Sequence, residues 1–327
     1  MMKCRLCKEC NGNACAGEIP GLGGKGKGLS FKRNYSKLQE ITLNLDLISE
    51  VDTVNTNTKL FGQEVSMPIY VAPIAGIKAN YGVDISDYDH IKEMLTATKE
   101  LNTITFMGDG IDIKNNFIDM INLANSVNTL AIPTMKPWVK EGIDVRLDSI
   151  NSKNYFAMCM DIDSCGLPLL KNNAIKVEHK TVARLKEFKS RIDKPFIVKG
   201  IMTKEGALKA IEAGCDAIVV SNHGGRVLDS STSTIEVLGA IAKVCKGKTT
   251  VLVDGGFRSG YDVFKALALG ADGVLIGRPV ACECVLKGSQ GVIDYFHKLN
   301  DELKDAMNMC GFSNIKDINI NSINCNY

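Results

Sequence analysis

Neither sign of charge is in excess in this chain: 39 lysines and arginines stand against 37 aspartates and glutamates. Without a basic cluster beyond the short Lys25 to Lys27 region, nucleic acid and anionic membranes are excluded as electrostatic partners. No apolar run approaches the ~18 residues that cross a bilayer, and no charged-then-apolar signal segment opens the chain. A cytoplasmic protein with a small-molecule partner is therefore expected. No Pro/Ser-rich linker, repeat or low-complexity tract divides the 327 residues, which argues for one large α/β unit rather than two domains. Histidine occurs only four times. His90 and His297 lie in helical patterns and His179 opens another, where packing or surface roles are expected, so His223 stands apart. Cysteine is plentiful, with 12 residues, and a cytoplasmic setting makes reduced thiols or metal ligands the expectation over disulfides.

From Met67 onward, eight short β-rich runs alternate with amphipathic helical patterns: PIYVAPIAG, TITFMG, NTLAIPTM, YFAMCMDID, PFIVKG, AIVVSNHG, TVLVDGG and GVLIGRP. Eight such units in roughly the ~250 residues that the architecture needs predict a (β/α)8 TIM barrel. A doubly wound sheet is the alternative, but its dinucleotide-binding form carries GxGxxG after the first strand, and APIAGIKANYG does not. TVNTNTKLFGQEVSMP reads as a hairpin that caps the bottom of the barrel, and GVIDYFHKLNDELKDAMNMCG as a closing helix that ends at Gly311. The expected division is a Cys/Gly-rich extension over residues 1–30 and a barrel over 31–327, with PGLGGKGKG as a flexible connector between them.

Polar residues gather at the C-terminal ends of the later strands, where barrel active sites are built. VDGGFRSG and IGRP put Gly255, Gly256 and Gly277 beside Arg258 and Arg278, a pattern that suits a phosphate: glycines admit backbone N–H groups and arginine adds bidentate bonds. Lys199 ends a buried strand and must snorkel or meet a negative group. In SNHGGR, His223 can take a proton near neutral pH and Arg226 can hold a carboxylate, while Asp161 is a candidate to orient the imidazole.

The segments Pro195 to Pro279 and TKLFGQEVSMPIYVAPIAG closely resemble the FMN-dependent 2-hydroxy-acid oxidase and dehydrogenase family, which includes glycolate and lactate oxidases. The resemblance implies FMN as cofactor and oxidation of an L-2-hydroxy acid, lactate first, to the 2-oxo acid. It further implies that Lys199 sits against the flavin, His223 is the base, Asp161 its partner and Arg226 the carboxylate anchor. Asp254, Gly255, Gly256, Arg258, Gly277 and Arg278 would form the ribityl-phosphate cradle. Ser221 would contact the flavin, and the backbone of Ala72, Pro73, Ile74 and Ala75 would face its ring. Relatives are commonly tetramers, so a homo-oligomer is expected, while oxygen, a quinone, a protein or a metal cluster remain open as electron acceptor. Two further readings stand beside this one: a non-catalytic flavin-binding redox sensor, and another FMN barrel enzyme such as type 2 isopentenyl diphosphate isomerase.

The chain departs from the family pattern in its first half. Ala131 and Pro133 align with a glutamine and a tyrosine of the third strand, and Tyr35 is the nearest counterpart of an N-terminal substrate-site tyrosine. The lid segment SCGLPLLKNNAIKVEHKT is short and lacks a second arginine. Finally, Cys4, Cys7, Cys10 and Cys15 form CxxCxxCxxxxC, one residue longer than a ferredoxin-type run. An iron–sulfur cluster, a zinc knuckle and a set of reduced thiols are the alternatives at this point.

Overall fold

The strands run in chain order from β1 (Thr42–Leu43) through a hairpin, β2 (Thr58–Leu60) and β3 (Gln63–Val65), into a barrel series. The barrel strands are β4 (Ile69–Val71), β5 (Thr105–Gly108), β6 (Ala131–Met135), β7 (Met158–Asp161), β8 (Phe196–Ile201), β9 (Ala217–Val220), β10 (Thr250–Val253) and β11 (Gly273–Ile276). The short β12 (Ile323–Asn324) returns to pair antiparallel with β1. This computed structural model describes residues 4–18, 22–150, 153–172 and 175–326. β4 to β11 close into a barrel in sequence order, and every pairing in it is parallel. The expected (β/α)8 architecture is thus present.

Strand period explains how the barrel fills itself. Side chains alternate in direction along a strand, and here alternate residues divide between two apolar clusters. Tyr70, Phe106, Ile132, Cys159, Ile197, Val219, Leu252 and Leu275 pack together inside the barrel. Their neighbours Ile69, Met107, Ala131, Met158, Val198, Ile218, Val253 and Val274 pack outward against the helices. Two residues beyond each interior position come Ala72, Gly108, Thr134, Asp161, Lys199, Ser221, Asp254 and Gly277. Period two therefore assigns these residues to one layer at the C-terminal end of the barrel. That layer is the floor of the site.

The bottom is closed by the hairpin, whose Leu60 and Val65 join the interior cluster while Phe61 lies 6.0 Å from the Phe156 ring. Helices cover the outside, and several are started by side-chain caps, at Ser86, Thr181, Thr203 and Ser259. Ser259 accepts from the Asp262 N–H at 3.1 Å while Asp262 accepts from the Ser259 N–H at 3.2 Å, a reciprocal cap on Gly260–Ala268. The closing helix begins earlier than expected, at Arg278, and runs to Met309 with a break at Gly288, where φ is 62°.

The connector reading needs correction. Pro20 and Gly21 lie outside the described residues, but 22–28 are held against the barrel rather than loose. The Lys25 N–H donates to the Gly225 carbonyl at 2.8 Å, and Asp229 accepts from the N–H groups of Lys27 and Leu29 at 2.7 and 2.9 Å. Its glycines are there for close approach: a Cβ on Gly23 would sit 1.5 Å from the Cys15 carbonyl oxygen.

Candidate active site

Lys199 lies between two carboxylates of the floor layer, 3.2 Å from Asp161 and 3.3 Å from Asp254. The β7–β8 register sets Asp161 directly opposite Lys199, so their meeting follows from strand pairing. Burial alone would neutralise the lysine. The two carboxylates outweigh it and hold the ammonium well above its usual value, so it is a fixed positive charge.

His223 is placed by a strained turn. Its φ of 56° is left-handed, as are those of Gly224 and Gly225 at 61° and 80°. The turn is over-determined: Asn222 accepts from the Gly225 N–H at 3.1 Å and exchanges side-chain bonds of 2.7 and 2.9 Å with buried Asn34. Gly225 also has to be small, because a Cβ there would meet the Phe31 backbone nitrogen at 2.4 Å.

Asp161 is not the only carboxylate on the imidazole. His223 Nδ1 lies 3.2 Å from Asp161 and 3.0 Å from Asp163, a residue that sequence reasoning missed. Both contacts use Nδ1, which leaves Nε2 as the ring nitrogen free of the carboxylates. Burial and the adjacent Asp161 push Asp163 up to about 7. Burial also presses Asp161 upward, but the charges of His223 and Lys199 hold it well below the carboxylate range. For His223 itself, burial lowers the value and the two carboxylates more than restore it, so the ring titrates above its ordinary 6.5. The set can take a proton on Nε2 and hold the resulting imidazolium.

Arg226 follows on the same turn. Its Nε is buried without a hydrogen-bond partner among the described residues, and burial together with the Arg278 charge presses it down to about 10, still cationic at neutral pH. An unsatisfied guanidinium beside a histidine base suits an incoming carboxylate.

The floor opens into two adjoining cavities that share Lys199-side residues Pro73, Ile74, His223 and Arg226, with empty volumes of about 720 and 1660 Å³, open mouths included. Lys199, Asp254, Gly255, Gly256, Arg258, Gly277 and Arg278 line the first with Ala72, and Ala75 and Asp161 line the second. Arg278 begins the last helix, whose free N–H groups add to the anion site. Gly255 and Gly256 have φ of 99° and 96°, a conformation that side chains rarely adopt. Asp254 Oδ1 is buried and lacks a partner among the described residues. A cradle of helix N-terminus, glycines and arginines joined to a floor with a fixed lysine fits FMN, a phosphate ester with a flat ring that gains negative charge on reduction. Ser221 belongs to the same floor layer, and its Oγ accepts the His223 N–H at 3.1 Å, which ties it to the base.

The third strand needs a correction. Ala131 packs in the outer layer and Ile132 in the interior, so Ala131 and Pro133 face away from the site. Thr134 and Lys136 line the larger cavity instead. The Lys136 ammonium donates to the Gly110 carbonyl at 3.4 Å, a long bond; burial lowers its value against the pull of Asp109 and Asp161. Asp109 is otherwise engaged by Arg146 at 3.1 Å and by the Trp138 indole N–H at 2.5 Å, so Trp138 braces the site without lining it. Tyr35 is also displaced: its phenol donates to Glu9. The buried tyrosine at the cavity is Tyr81, with Arg226 and Arg278 in its surroundings. The short lid contributes Leu167, Leu169 and Leu170, an apolar wall. His90 is buried as packing in its helix.

A barrel with a phosphate cradle, a fixed lysine and a carboxylate-backed histidine defines the flavin-dependent class of (β/α)8 enzymes. Residues 22–99 and 144–325 match the family model for FMN-dependent dehydrogenases, and the chain belongs to that family. A 2-hydroxyacid oxidase of Dictyostelium discoideum is 33% identical across 90% of this chain and 82% of its own length. An L-lactate oxidase of Lactobacillus jensenii is 29% identical across 83% and 72%. A crystal structure of mandelate oxidase with (S)-2-phenylpropionate superposes with a TM-score of 0.76 at 26% identity, covering 92% of this chain and 90% of that one. The chain is accordingly an FMN-dependent enzyme of the 2-hydroxy-acid oxidase family, which sets aside the isomerase reading. The unmatched segment 100–143 contains Asp109, Lys136 and Trp138. Among the described residues, no helix is long and apolar enough to cross a membrane.

Proposed function

We propose that the substrate is a short L-2-hydroxy acid, L-lactate first among them, oxidised to its 2-oxo acid. The observation that carries this is the partnerless Arg226 Nε beside His223, whose Nδ1 is held by two carboxylates. Arg226 binds the substrate carboxylate and sets the C2 hydroxyl against His223 Nε2. The ring takes the hydroxyl proton, and Asp161 and Asp163 stabilise the imidazolium so formed. Lys199 supplies positive charge along the cofactor, held by Asp254, Gly255, Gly256, Arg258, Gly277 and Arg278. When bound, FMN supplies the two-electron oxidation. Lys136 is a second cation over the same cavity and takes part of the anchoring that the short lid, without an arginine, does not provide. The apolar wall of Leu167, Leu169 and Leu170 accepts the substrate side chain.

The same reading has the enzyme act in the cytoplasm as a homo-oligomer, with the barrel spanning 31–327 and the extension 1–30. The test is anaerobic addition of L-lactate, D-lactate, glycolate and L-mandelate to the yellow protein. Bleaching with L-lactate at the lowest concentration is expected. Preferential bleaching by mandelate or glycolate would refute the lactate assignment, and bleaching by none of them would refute the hydroxy-acid reading itself.

A further inference from the structure

We propose that Cys4, Cys7, Cys10 and Cys15 bind a [4Fe-4S] cluster. All four thiols are free and line one cavity, of about 390 Å³ with its open mouth included, whose wall is completed by Cys282 and Arg278. Their C-x2-C-x2-C-x4-C spacing comes from one short loop, so convergence on a single cavity is a property of the fold and not of the spacing alone.

The spread of the thiols favours a cluster over zinc. Tetrahedral zinc holds each thiolate at about 2.3 Å and so requires sulfurs about 3.8 Å apart. Among the described residues, the one set of three metal-capable side chains whose atoms lie within 4.8 Å of one another is Asp161, Asp163 and His223; no three of these cysteines do so. The thiols surround the cavity without closing to zinc size. A cubane places irons and sulfides between its thiolates and takes such a wider set.

The loop is also held in this shape by the barrel. The Cys4 N–H donates to the Asn80 carbonyl at 3.2 Å, and Arg258 Nε donates to the Cys10 carbonyl at 2.8 Å. Arg278 supplies positive charge to an anionic cluster. Arg278 and Leu22 line this cavity and the phosphate cradle alike, so the two sites are separated by single side chains. Cys282 Sγ stands 4.0 Å from Cys4 Sγ but belongs to the last helix, and four ligands are already supplied by the loop.

The role of the cluster rests on the proposed hydroxy-acid oxidation. Each substrate gives up two electrons and two protons. The electrons leave one at a time through the cluster to an external one-electron carrier protein, and the protons pass to solvent.

The test uses the full chain, purified without oxygen or reconstituted with ferrous iron and sulfide. About four irons and about four sulfides per chain are expected, with an EPR signal after dithionite reduction. Cys7→Ser and Cys15→Ser should lose that iron while retaining FMN, and Cys282→Ser should keep both. Stoichiometric zinc without sulfide, absence of metal after reconstitution, or iron retained in both loop variants would overturn the proposal. Flavin bleaching by hydroxy acids is read on the same samples. Bleaching without a cluster refutes the cluster alone, whereas a cluster without bleaching refutes the substrate reading and leaves the metal site standing.

Discussion

Replacing Asp163 by asparagine should move the acid limb of the activity profile to lower pH. The carboxylate lies 3.0 Å from His223 Nδ1, and two unit charges at that distance attract by about 5.5 kcal/mol at an effective dielectric of 20. That figure is a ceiling. Burial and Asp161 push Asp163 up to about 7, so its charge is only partly present near neutrality, and the amide oxygen of the variant keeps a hydrogen bond. About a quarter of the ceiling, roughly 1.4 kcal/mol or one pH unit, is the expected loss. The sign follows from the role of the ring: a base must be unprotonated, and the wild-type ring holds its proton above the ordinary 6.5. Removing one of two carboxylates releases that proton earlier, so D163N stays active to lower pH. The plateau rate should fall a few-fold, because a base of lower affinity pulls the proton less strongly. The assay is kcat/KM for L-lactate from pH 5 to 9, or flavin bleaching under single-turnover conditions. A limb that stays in place or moves to higher pH would refute the role given to Asp163.

Four other variants test separate parts of the site. Arg226→Lys keeps the charge but loses the planar fork, so kcat/KM should fall roughly 30-fold or more, about 2–3 kcal/mol, with FMN content unchanged; an unaffected KM would exclude it as the anchor. Lys136→Met should raise KM for the hydroxy acid about tenfold with a smaller change in kcat, and unchanged KM would remove the lysine from substrate binding. Asp109→Asn strands the buried Arg146 guanidinium and should lower unfolding free energy by about 3–5 kcal/mol in urea titration, where a loss below 1 kcal/mol would contradict the burial argument. Gly225→Ala forces a Cβ to 2.4 Å from the Phe31 nitrogen at a φ of 80°; the melting temperature should drop by several degrees, and a wild-type value would show that the turn relaxes freely.

What could be read from the chain is what strand period and strand ends determine. Lys199, Asp254 and Gly277 announce themselves as the first polar or glycine positions after apolar runs, and the parallel register carries them into one layer. The third strand shows where this fails. AIPTM is buried at every position, so its sequence has no polar alternation from which to read a phase. An alignment offset by an odd number of residues then turns every side chain to the other face. Such an offset puts Ala131 and Pro133 where Thr134 and Lys136 stand. Asp163 was invisible for another reason: it lies beyond the strand, on a turn whose direction is set by contacts with β8. The glycine-rich segment is ambiguous in principle, since glycine serves both a loose linker and a close approach, and the deciding partner, Asp229, lies some 200 residues away. The illegible parts are thus the tertiary ones, and they are not spread evenly. The chemistry of proton and cofactor sits on the strand ends that can be read, while Lys136, braced through Asp109 by Trp138 and Arg146, sits on the segment that the family model leaves unmatched. Selection among hydroxy acids should therefore be sought in 100–143 and the leucine wall, where exchanges alter the substrate without disturbing the base or the cradle.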